Sequence, residues 1–451
     1  MIKKLLIANR GEIALRIIRA CRELGIKTVA VYSKADELSL HTRFADEAIC
    51  IGPNESSKSY LNIPSILAAA ELTNSDSIHP GYGFLAENSK FSSICKDNNI
   101  LFIGSDENTI NMMGNKSLAK DTMVKNGIPI IPGSDGNVDT LEEAQFLCSK
   151  MGYPVIIKAT SGGGGKGMRL VNEESELQKL FEMAKMEAEA SFSDSNVYIE
   201  KYLKNPRHIE IQIMCDSFGN IIPLGERECS IQRRHQKMLE ESPSSIMTDG
   251  LRKKLYDSSI KACKAVNYLG AGTIEYLVDT NYDYFFMEMN TRIQVEHPVT
   301  EVVLGVDLIK QQILCHNDIP LPDWMKTAKL RGHAIECRIN AEDPFNSFMP
   351  SPGKITTFHM PGGNGIRVDT HVYDGYVVPQ YYDSMIAKLI VNAPTRQEAI
   401  SRMLGALDEC VIEGIKTTIP FLKDILKNKS FISGDIHTGF IDKMMNKNKQ
   451  E

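Results

Sequence analysis

The sequence predicts a protein of roughly two to four domains that combines α/β and α+β structure. Its 451 residues, 42% hydrophobic and 24% charged, have an ordinary globular composition but are too many for one compact core. The chain opens with a βαβ pattern, and strand-like and helix-like runs then alternate along most of its length. We therefore expect several packed units with clefts between them.

The first unit begins with the βαβ segment. Apolar runs at residues 5–8 and 28–32 flank a helix whose apolar positions recur three or four residues apart. One glycine, Gly11, stands at the first turn in place of a GxGxxG fingerprint, so an NAD-type site is disfavoured. A strand-like run at 100–104 closes this unit, which we place at residues 1–113.

A second unit begins near residue 114 with a change of pattern. Its predicted elements are, in order, a helix that contains Lys116, a Pro-rich turn at 128–133, a helix at 141–151, a strand at 153–158, a glycine loop, a charged helix at 173–190 and a strand at 196–200. This pattern indicates a small α+β subdomain.

The remainder of the chain alternates strands and helices. Strands are predicted at 209–214, 273–278, 284–290 and 333–339, and helices at 251–267, 306–314 and 396–409, followed by a short terminal helix. We place domain boundaries so that a middle domain spans 114–330 and a last domain spans 331–451.

Charge and cysteine usage exclude several kinds of partner. The net charge is -6, and Lys and Arg are spread along the chain, so neither nucleic acid nor an anionic membrane is expected. The ten cysteines form no CxxC pair and no spacing suited to zinc. No stretch approaches the roughly 18 apolar residues of a membrane span. We expect a cytoplasmic protein with reduced thiols.

Residues 161–167 form a loop, Ser-Gly-Gly-Gly-Gly-Lys-Gly, between two predicted strands. Glycines let backbone N–H groups fold closely over phosphates, while Lys158 and Lys166 supply positive charge. A Walker A motif would need Ser or Thr after the lysine and a helix next, whereas Gly167 and a strand-like run follow. A flexible hairpin turn is the alternative, but it would need only one or two glycines. We favour a phosphate-covering loop.

Residues 284–298 carry the most informative pattern. In an extended chain, one face would hold the polar side chains of Glu288, Asn290, Arg292, Gln294 and Glu296. A solvated edge strand can alternate in the same way. However, the apolar run 284–286 just before it is typical of a buried strand. If the nine residues from Glu288 to Glu296 were fully extended, they would span about 26 Å, so we expect the chain to bend beyond Asn290.

These residues suggest a metal site beside an anion site. Glu275 lies in a second apolar strand, and two buried acids in neighbouring strands need a cation. Glu275, Glu288 and the Asn290 oxygen form an all-oxygen set suited to Mg²⁺. Arg292 offers a planar fork for a carboxylate-like anion such as bicarbonate, and Glu296 can act as a base towards it.

Five further segments stand out along the chain: IANRGEIA at 7–14, HPGYGF at 79–84, RRHQK at 233–237, EMNTRIQVEHP at 288–298 and RINAE at 338–342. In the same order and across essentially the whole chain, they resemble the biotin carboxylase family of ATP-grasp enzymes. The resemblance implies an ATP-grasp fold with an N-terminal doubly wound, Rossmann-like domain, a mobile lid at about 131–203 that closes over ATP, and a C-terminal biotin carboxylase domain. One departure is that some relatives have five consecutive glycines where this loop has four.

The resemblance also implies roles for individual residues. ATP would be bound by Lys116, Lys158, Gly164, Gly165, Glu200, Lys201, Tyr202, Leu203, His208, Gln232, His235, Glu275, Leu277 and Glu288, and Mg²⁺ or Mn²⁺ by Glu275, Glu288 and Asn290. Bicarbonate would be held by Lys237, Arg292, Gln294, Val295 and Glu296, and biotin by Tyr82, Gly83 and Arg338. The catalytic residues would be Lys237, Arg292, Glu296 and Arg338. Arg10 and Glu12 are expected to be a domain-interface pair.

The implied reaction is the ATP-dependent carboxylation of biotin N1′. Bicarbonate, deprotonated by Glu296, would be activated to carboxyphosphate, which releases CO₂ and a phosphate ion. The phosphate would remove the biotin proton, and the enolate beside Arg338 would attack CO₂ while the lid excludes water.

Partners follow from what the sequence lacks. It contains no Ala-Met-Lys-Met biotinyl-lysine motif, so biotin is expected on a separate carrier protein, with carboxyltransferase subunits as further chains. The resemblance implies a homodimer. Acetyl-CoA carboxylase is the default assignment, and a split pyruvate carboxylase or another acyl-CoA carboxylase is the alternative. An ATP-grasp carbon–nitrogen ligase and a non-catalytic nucleotide-binding relative fit less well, because Arg292, Gln294, Glu296 and Arg338 match bicarbonate and biotin recognition.

Overall fold

The computed structural model describes residues 1–160, 168–192 and 195–447. Three sheets dominate: a parallel sheet of five strands, a small antiparallel sheet of three strands and a large antiparallel sheet of eight strands. Within the described residues, no helix combines the length and the apolar character needed to cross a membrane.

The first part of the chain builds the parallel sheet. Its elements are β1 (Lys4–Ile7), α1 (Gly11–Glu23), β2 (Lys27–Ser33), α2 (Leu40–Phe44), β3 (Glu47–Gly52), α3 (Ile63–Leu72), β4 (Ser77–His79), α4 (Ser89–Asp97), β5 (Leu101–Phe102) and α5 (Glu107–Gly114). The strand order is β3-β2-β1-β4-β5. Leu5 and Ile7 pack with α1, whereas Leu6 packs with residues of α3 and α4. Both faces are therefore covered, which confirms the doubly wound prediction.

The small sheet comes next and turns a polar face towards the rest of the molecule. The elements are α6 (Lys116–Lys125), α7 (Leu141–Met151), β6 (Val155–Ala159), β7 (Met168–Val171), α8 (Glu174–Phe192) and β8 (Val197–Lys201), with strand order β7-β6-β8. Side chains alternate across a strand, so Val155 and Ile157 pack under α7 and α8 while Ile156 and Lys158 point into a cleft.

The large sheet is assembled from the rest of the chain. Its elements and those around it are β9 (Arg207–Cys215), β10 (Ile221–Arg233), β11 (Gln236–Ser242), α9 (Asp249–Ala265), β12 (Gly270–Val278), β13 (Tyr284–Asn290), α10 (His297–Leu304), α11 (Leu308–His316), α12 (Asp323–Lys326), β14 (His333–Asn340), β15 (Glu342–Asp343), β16 (Met349–Pro350), β17 (Gly353–Lys354), β18 (Thr357–His359), β19 (Ile366–Thr370), β20 (Val377–Val378), β21 (Met385–Ala393), α13 (Arg396–Glu409), β22 (Val411–Glu413), α14 (Ile419–Lys427), α15 (Lys429–Ile432) and α16 (Phe440–Lys447). The order is β13-β12-β9-β10-β11-β14-β21-β19. Because β11 pairs with β14, one sheet runs through both the middle and the last part of the chain.

Strand β9 shows how this sheet separates an apolar core from a polar layer. Ile209, Ile211 and Ile213 pack in one cluster with residues of α9. The alternate residues Glu210 and Gln212 are also fully buried but lie on the other face. A buried carboxylate needs a cation, and the neighbouring strand β10 supplies Arg227.

The Arg227 guanidinium ties several elements of the polar layer together. It is fully buried and donates to Glu210. It also donates to Gln212 Oε1 at 2.7 Å, and to the Thr273 and Thr300 hydroxyls at 3.0 Å. Strands β9, β10 and β12 and helix α10 are thus held in register around one charge.

The chain turns away from β13 at Asn290, as predicted from the length that residues 288–296 would have if extended. Residues 291–296 are not part of a strand, and α10 begins at His297. The strands β10 and β11 were not anticipated from the sequence.

Arg10 joins the first and last parts of the chain. Its guanidinium donates to Asp36 at 2.6 and 2.8 Å and lies 4.3 Å from the centre of the Tyr382 ring. Burial would raise the pKa of Asp36, but Arg10 outweighs it and lowers that pKa to about 2. Tyr60 donates a further hydrogen bond to the carboxylate at 2.6 Å.

We expect Arg10→Ala to lower the free energy of unfolding by about 3–5 kcal/mol, since it leaves the buried Asp36 carboxylate without its cation. Urea denaturation followed by circular dichroism measures the change. Lys58→Ala is the matched control, because its pair with Glu55 is exposed and should contribute little to stability. Equal losses in the two variants would contradict this account.

Candidate active site

A cleft of about 1540 Å³ lies between the parallel sheet, the small sheet and the polar layer of the large sheet. The turn before α1, helix α6, strands β6 and β8 and several strands of the large sheet form its walls. Glycine is favoured at one of these turns: Gly11, the first residue of α1, has a φ of +72°, where a side chain would be strained.

The predicted site residues within the described chain all line this cleft. They are Tyr82, Gly83, Lys116, Lys158, Glu200, Lys201, Tyr202, Leu203, His208, Gln232, His235, Lys237, Glu275, Leu277, Glu288, Asn290, Arg292, Gln294, Val295, Glu296 and Arg338. Gly164 and Gly165 lie outside the described residues. The structure therefore brings the predicted groups together, whereas their individual roles stay predictions.

Lys237, on β11, lies at the centre of the site. Its ammonium donates to Glu210 at 2.6 Å, to Glu275 at 2.9 Å and to Glu296 at 2.6 Å. Burial would lower the pKa of Lys237, but these three carboxylates outweigh it and raise that pKa well above its ordinary value. Lys237 is therefore a permanent cation that holds three acidic side chains together.

Glu296 bridges Lys237 and Arg338. Its second oxygen accepts from Arg338 Nη2 at 2.8 Å, and Arg338 also donates through Nε to Glu240 at 2.6 Å. Burial would raise the pKa of Glu296, but Lys237 and Arg338 hold it well below its usual range. Glu296 is thus ionised at neutral pH, as a base must be before it accepts a proton.

Glu275 and Glu288 face each other as register partners on β12 and β13. Glu275 is buried and 2.9 Å from His208 Nε2, whereas Glu288 is half-buried. Burial first, and then the charge of Glu275, raise the pKa of Glu288. A divalent cation between the two carboxylates would remove this repulsion, so the residues present fit Mg²⁺ or Mn²⁺.

Asn290 is arranged differently from the predicted ligand. Its amide nitrogen, not its oxygen, faces Glu275, to which it donates at 3.0 Å. The oxygen accepts from Arg292 Nη2 at 3.0 Å. The physical reason is competition, since the guanidinium two residues along the chain binds the same oxygen that a cation would use.

Arg292 is oriented by a carboxylate from the first part of the chain. Glu87 accepts from Arg292 Nε at 2.8 Å and from the Thr291 backbone N–H at 3.0 Å. Arg292 Nη1 donates to the Gln294 side-chain oxygen at 3.0 Å. Sequence reasoning missed Glu87, because nothing local connects it to a residue 205 positions away.

Glu200 lies at the small-sheet end of the cleft between two lysines. Lys120 and Lys158 each donate to it at 2.5 Å. Burial would raise the pKa of Glu200, but the two lysines lower it. Lys120 was also missed, although its position four residues after Lys116 places both on one side of α6.

Tyr82 and Glu12 connect the opposite end of the cleft to β21. The Tyr82 hydroxyl donates to Glu12, whose same oxygen is 3.1 Å from the ammonium of the fully buried Lys388. Lys388 also donates to the Val295 carbonyl at 2.7 Å. Glu12 therefore contacts the last part of the chain, as expected of an interface residue. A lysine inside the apolar run of β21 was a signal that the sequence analysis did not use.

Family models match the chain in three segments. "Biotin carboxylase, N-terminal domain" matches residues 1–110, "Carbamoyl-phosphate synthase L chain, ATP binding domain" matches 115–323, and "Biotin carboxylase C-terminal domain" matches 336–443. The fold and the site thus define an ATP-grasp enzyme.

Individual proteins are similar over nearly their whole length. Biotin carboxylase 1 of Bacillus subtilis is 56% identical, covering 98% of both chains. A pyruvate carboxylase subunit of Methanothermobacter thermautotrophicus is 54% identical, covering 98% of this chain and 90% of that protein. Among solved structures, the biotin carboxylase domain dimer of Hydrogenobacter thermophilus 2-oxoglutarate carboxylase, in complex with MgADP, ADP and bicarbonate, has a TM-score of 0.88 at 46% identity and covers 98% of each chain.

The chain belongs to the biotin carboxylase family. The predictions of an ATP-grasp fold and of an ATP-dependent ligase are confirmed.

We expect the chain to bind Mn²⁺ in the presence of ADP, and Glu288→Gln to weaken that binding at least about tenfold, since it removes one of two carboxylates. Isothermal titration calorimetry measures the affinity. Glu342→Gln is the control, because Glu342 also lines the cleft but bonds to Ser384 and Asn340. Unchanged Mn²⁺ affinity in Glu288→Gln would rule out this ligand.

Proposed function

We propose that the chain carboxylates biotin at N1′ with ATP and bicarbonate, the first half-reaction of a biotin-dependent carboxylase. The observation that carries this proposal is the row of contacts from Glu275 through Lys237 and Glu296 to Arg338. The row contains one proposed metal ligand, Glu275, followed by the proposed anion-binding cation, the proposed base and the proposed enolate-stabilising cation. The membership in the biotin carboxylase family supports the same reaction.

The small-sheet end of the cleft is the proposed nucleotide site. We assign ATP phosphates to Lys116, Lys158, Gly164 and Gly165, and the adenine to residues 200–203. His208, Gln232, His235 and Leu277 line the nucleotide, with Glu275 and Glu288 at its phosphates. Mg²⁺ or Mn²⁺ would be held by Glu275, Glu288 and Asn290, whose amide must first turn its oxygen from Arg292 towards the ion. The ion would neutralise charge on the phosphates. The relative from Hydrogenobacter thermophilus that binds MgADP supports this assignment.

The centre of the cleft is the proposed bicarbonate site. Lys237, Arg292, Gln294 and the Val295 backbone would hold the anion beside the Glu296 carboxylate, which removes its proton. Deprotonated bicarbonate then attacks the γ-phosphorus of ATP, giving carboxyphosphate and ADP. The buried Lys388 ammonium donates a hydrogen bond to the Val295 carbonyl, and this bond holds the backbone in place at the proposed bicarbonate site.

Arg338, with Tyr82 and Gly83, forms the proposed biotin site. Carboxyphosphate breaks down to CO₂ and phosphate, phosphate takes the N1′ proton, and the resulting enolate attacks CO₂ while Arg338 balances its charge. Carboxyphosphate hydrolyses readily, so water must be excluded, and the segment 131–203 is the proposed lid.

The assembly around the chain is also proposed. Biotin would be supplied on a separate carrier protein, and carboxyltransferase subunits would transfer its carboxyl group to the acceptor. The chain would form a homodimer in the cytoplasm. The dimeric relative supports the homodimer, and ten free cysteines, nine of them buried, support a reducing compartment.

We divide the chain into domains at residues 1–113, 114–330 and 331–451.

The final acceptor is proposed to be acetyl-CoA, so that the product would be malonyl-CoA for fatty acid synthesis. The second candidate is pyruvate, favoured by the Methanothermobacter thermautotrophicus relative, whose name assigns it to a pyruvate carboxylase. Solved relatives named for 2-oxoglutarate carboxylase and for pyruvate carboxylase share this fold, so the fold does not distinguish the acceptors.

We expect ADP release by the purified chain with Mg²⁺ and ATP to require bicarbonate and to rise strongly when free biotin is added. A coupled ADP assay measures the rate. An amino acid or a purine in place of bicarbonate and biotin serves as the comparison. Turnover that responds to these compounds and ignores bicarbonate would favour a carbon–nitrogen ligase.

We expect Arg338→Ala to bind nucleotide as the wild type does but to lose biotin carboxylation by at least about a hundredfold, since the enolate loses its counter-charge. Incorporation of labelled bicarbonate into biotin measures carboxylation, and ADP titration measures binding. Arg396→Ala, which breaks a buried pair with Glu241 on the far face of the sheet, is the control for stability. Retained carboxylation in Arg338→Ala would refute the assigned role.

A further inference from the structure

Glu336, in the middle of β14, has no role in the reaction described above. It is fully buried, and neither of its carboxyl oxygens has a hydrogen-bond partner among the described residues. The cation whose charge acts most on it is Lys388, on β21. That ammonium is already bonded to Glu12 and to the Val295 carbonyl. An ionised carboxylate at Glu336 would therefore be buried without a bonded cation, which is costly.

The register partner of Glu336 is Glu240 on β11. Glu240 is also fully buried; one oxygen receives Arg338, and the other has no partner in the described part of the chain. Side chains directly opposite each other on antiparallel strands have Cβ atoms about 5 Å apart. Arg338 stands two residues after Glu336 and so lies on the same face of β14. Two carboxyl groups with free oxygens thus meet beneath the proposed biotin-binding arginine.

Two such carboxyl groups cannot both be ionised at low cost. Like charges at this separation in a dry interior repel strongly, and one proton between them removes the repulsion. A protonated carboxyl group is also a donor, whereas an ionised one only accepts. A proton on Glu336 would therefore provide the missing partner for the free oxygen of Glu240.

We propose that Glu336 is a positioning residue for Arg338: it keeps its proton at neutral pH and donates it to the free oxygen of Glu240, which in turn holds Arg338. The proposal deepens the proposed function, because it assumes that Arg338 stabilises the biotin enolate. The proton stays within the pair throughout the reaction. This proton keeps the Glu336 carboxyl group neutral, so that the charge of Arg338 remains available to the substrate.

The surrounding charges are consistent with this assignment. The groups that face the pair are Lys388 on β21, Arg338 on β14, Lys237 on β11 and Glu296 just before α10. Burial, together with the charge of Glu240, raises the pKa of Glu336 well above its ordinary value despite Lys388. Burial also raises the pKa of Glu240, to about 7, while Arg338 opposes the rise.

Two substitutions separate a donor from a mere space filler. Glu336→Gln keeps a neutral donor of the same shape, and Glu336→Leu keeps volume but removes the donor. We expect Glu336→Gln to retain biotin carboxylation within about threefold and Glu336→Leu to lose at least about tenfold in kcat. The KM for ATP and the biotin-independent release of ADP should change by less than about twofold in both. Equal kcat values in the two variants would overturn the proposal, as would a matching rise in the KM for ATP.

The proton itself can be detected without any turnover. Infrared spectra of the full chain in D₂O at neutral pH should show a protonated-carboxyl band that disappears in Glu336→Gln. The control is Glu241→Gln: Glu241 is equally buried on β11 but bonds to His333 and Arg396, which help to lower its pKa, so the band should remain. Absence of the band from the wild-type minus Glu336→Gln difference would refute the proposal. A chain that fails to carboxylate biotin would instead refute the proposed function and leave the infrared result to decide the proton.

Discussion

The rest of the site depends on the ion pairs that the Lys237 ammonium group makes. It contacts acidic side chains from β9, from β12 and from the segment before α10, namely Glu210, Glu275 and Glu296. Three buried carboxylates this close would repel one another by several kcal/mol if no cation lay between them. Lys237 therefore allows Glu275, the proposed metal ligand, and Glu296, the proposed base, to stand side by side as carboxylates.

The large sheet makes this concentration of charge possible. Apolar residues on one face, such as Ile209 and Ile274, pack against α9 and supply the burial that stabilises the frame. Successive strands then present charged residues on the opposite face, with cations and anions alternating from Glu210 to Arg227 and from Glu240 to Arg338. Because the same sheet continues from β11 into β14, the proposed metal ligand Glu275 and the proposed biotin-binding Arg338 stand on one sheet.

Local signals explain which elements the sequence predicted well. Helices α7 and α13 were placed at their observed limits, and each begins with a threonine that accepts from the backbone N–H three residues on, Thr140 and Thr395. The alternating polar residues from Glu288 to Glu296 likewise identified the cleft, which they line. Contacts between distant segments were not predictable: Glu87 reaches Arg292 only because the parallel sheet packs beside β13, and the Asn290 amide orientation follows from that placement of Arg292.

The polar groups of the cleft are bonded to one another, and this shapes how substrates can bind. The fork of Arg292 is satisfied by Glu87, Gln294 and Asn290, and Lys158 is paired with Glu200. A bicarbonate ion or a phosphate group must exchange with these internal partners, so binding gains little from each new ion pair. The gain comes instead from geometry, because only a ligand that replaces several partners at once leaves no buried charge unpaired. A site of this kind therefore binds best the ligand that matches its whole pattern of charges and donors.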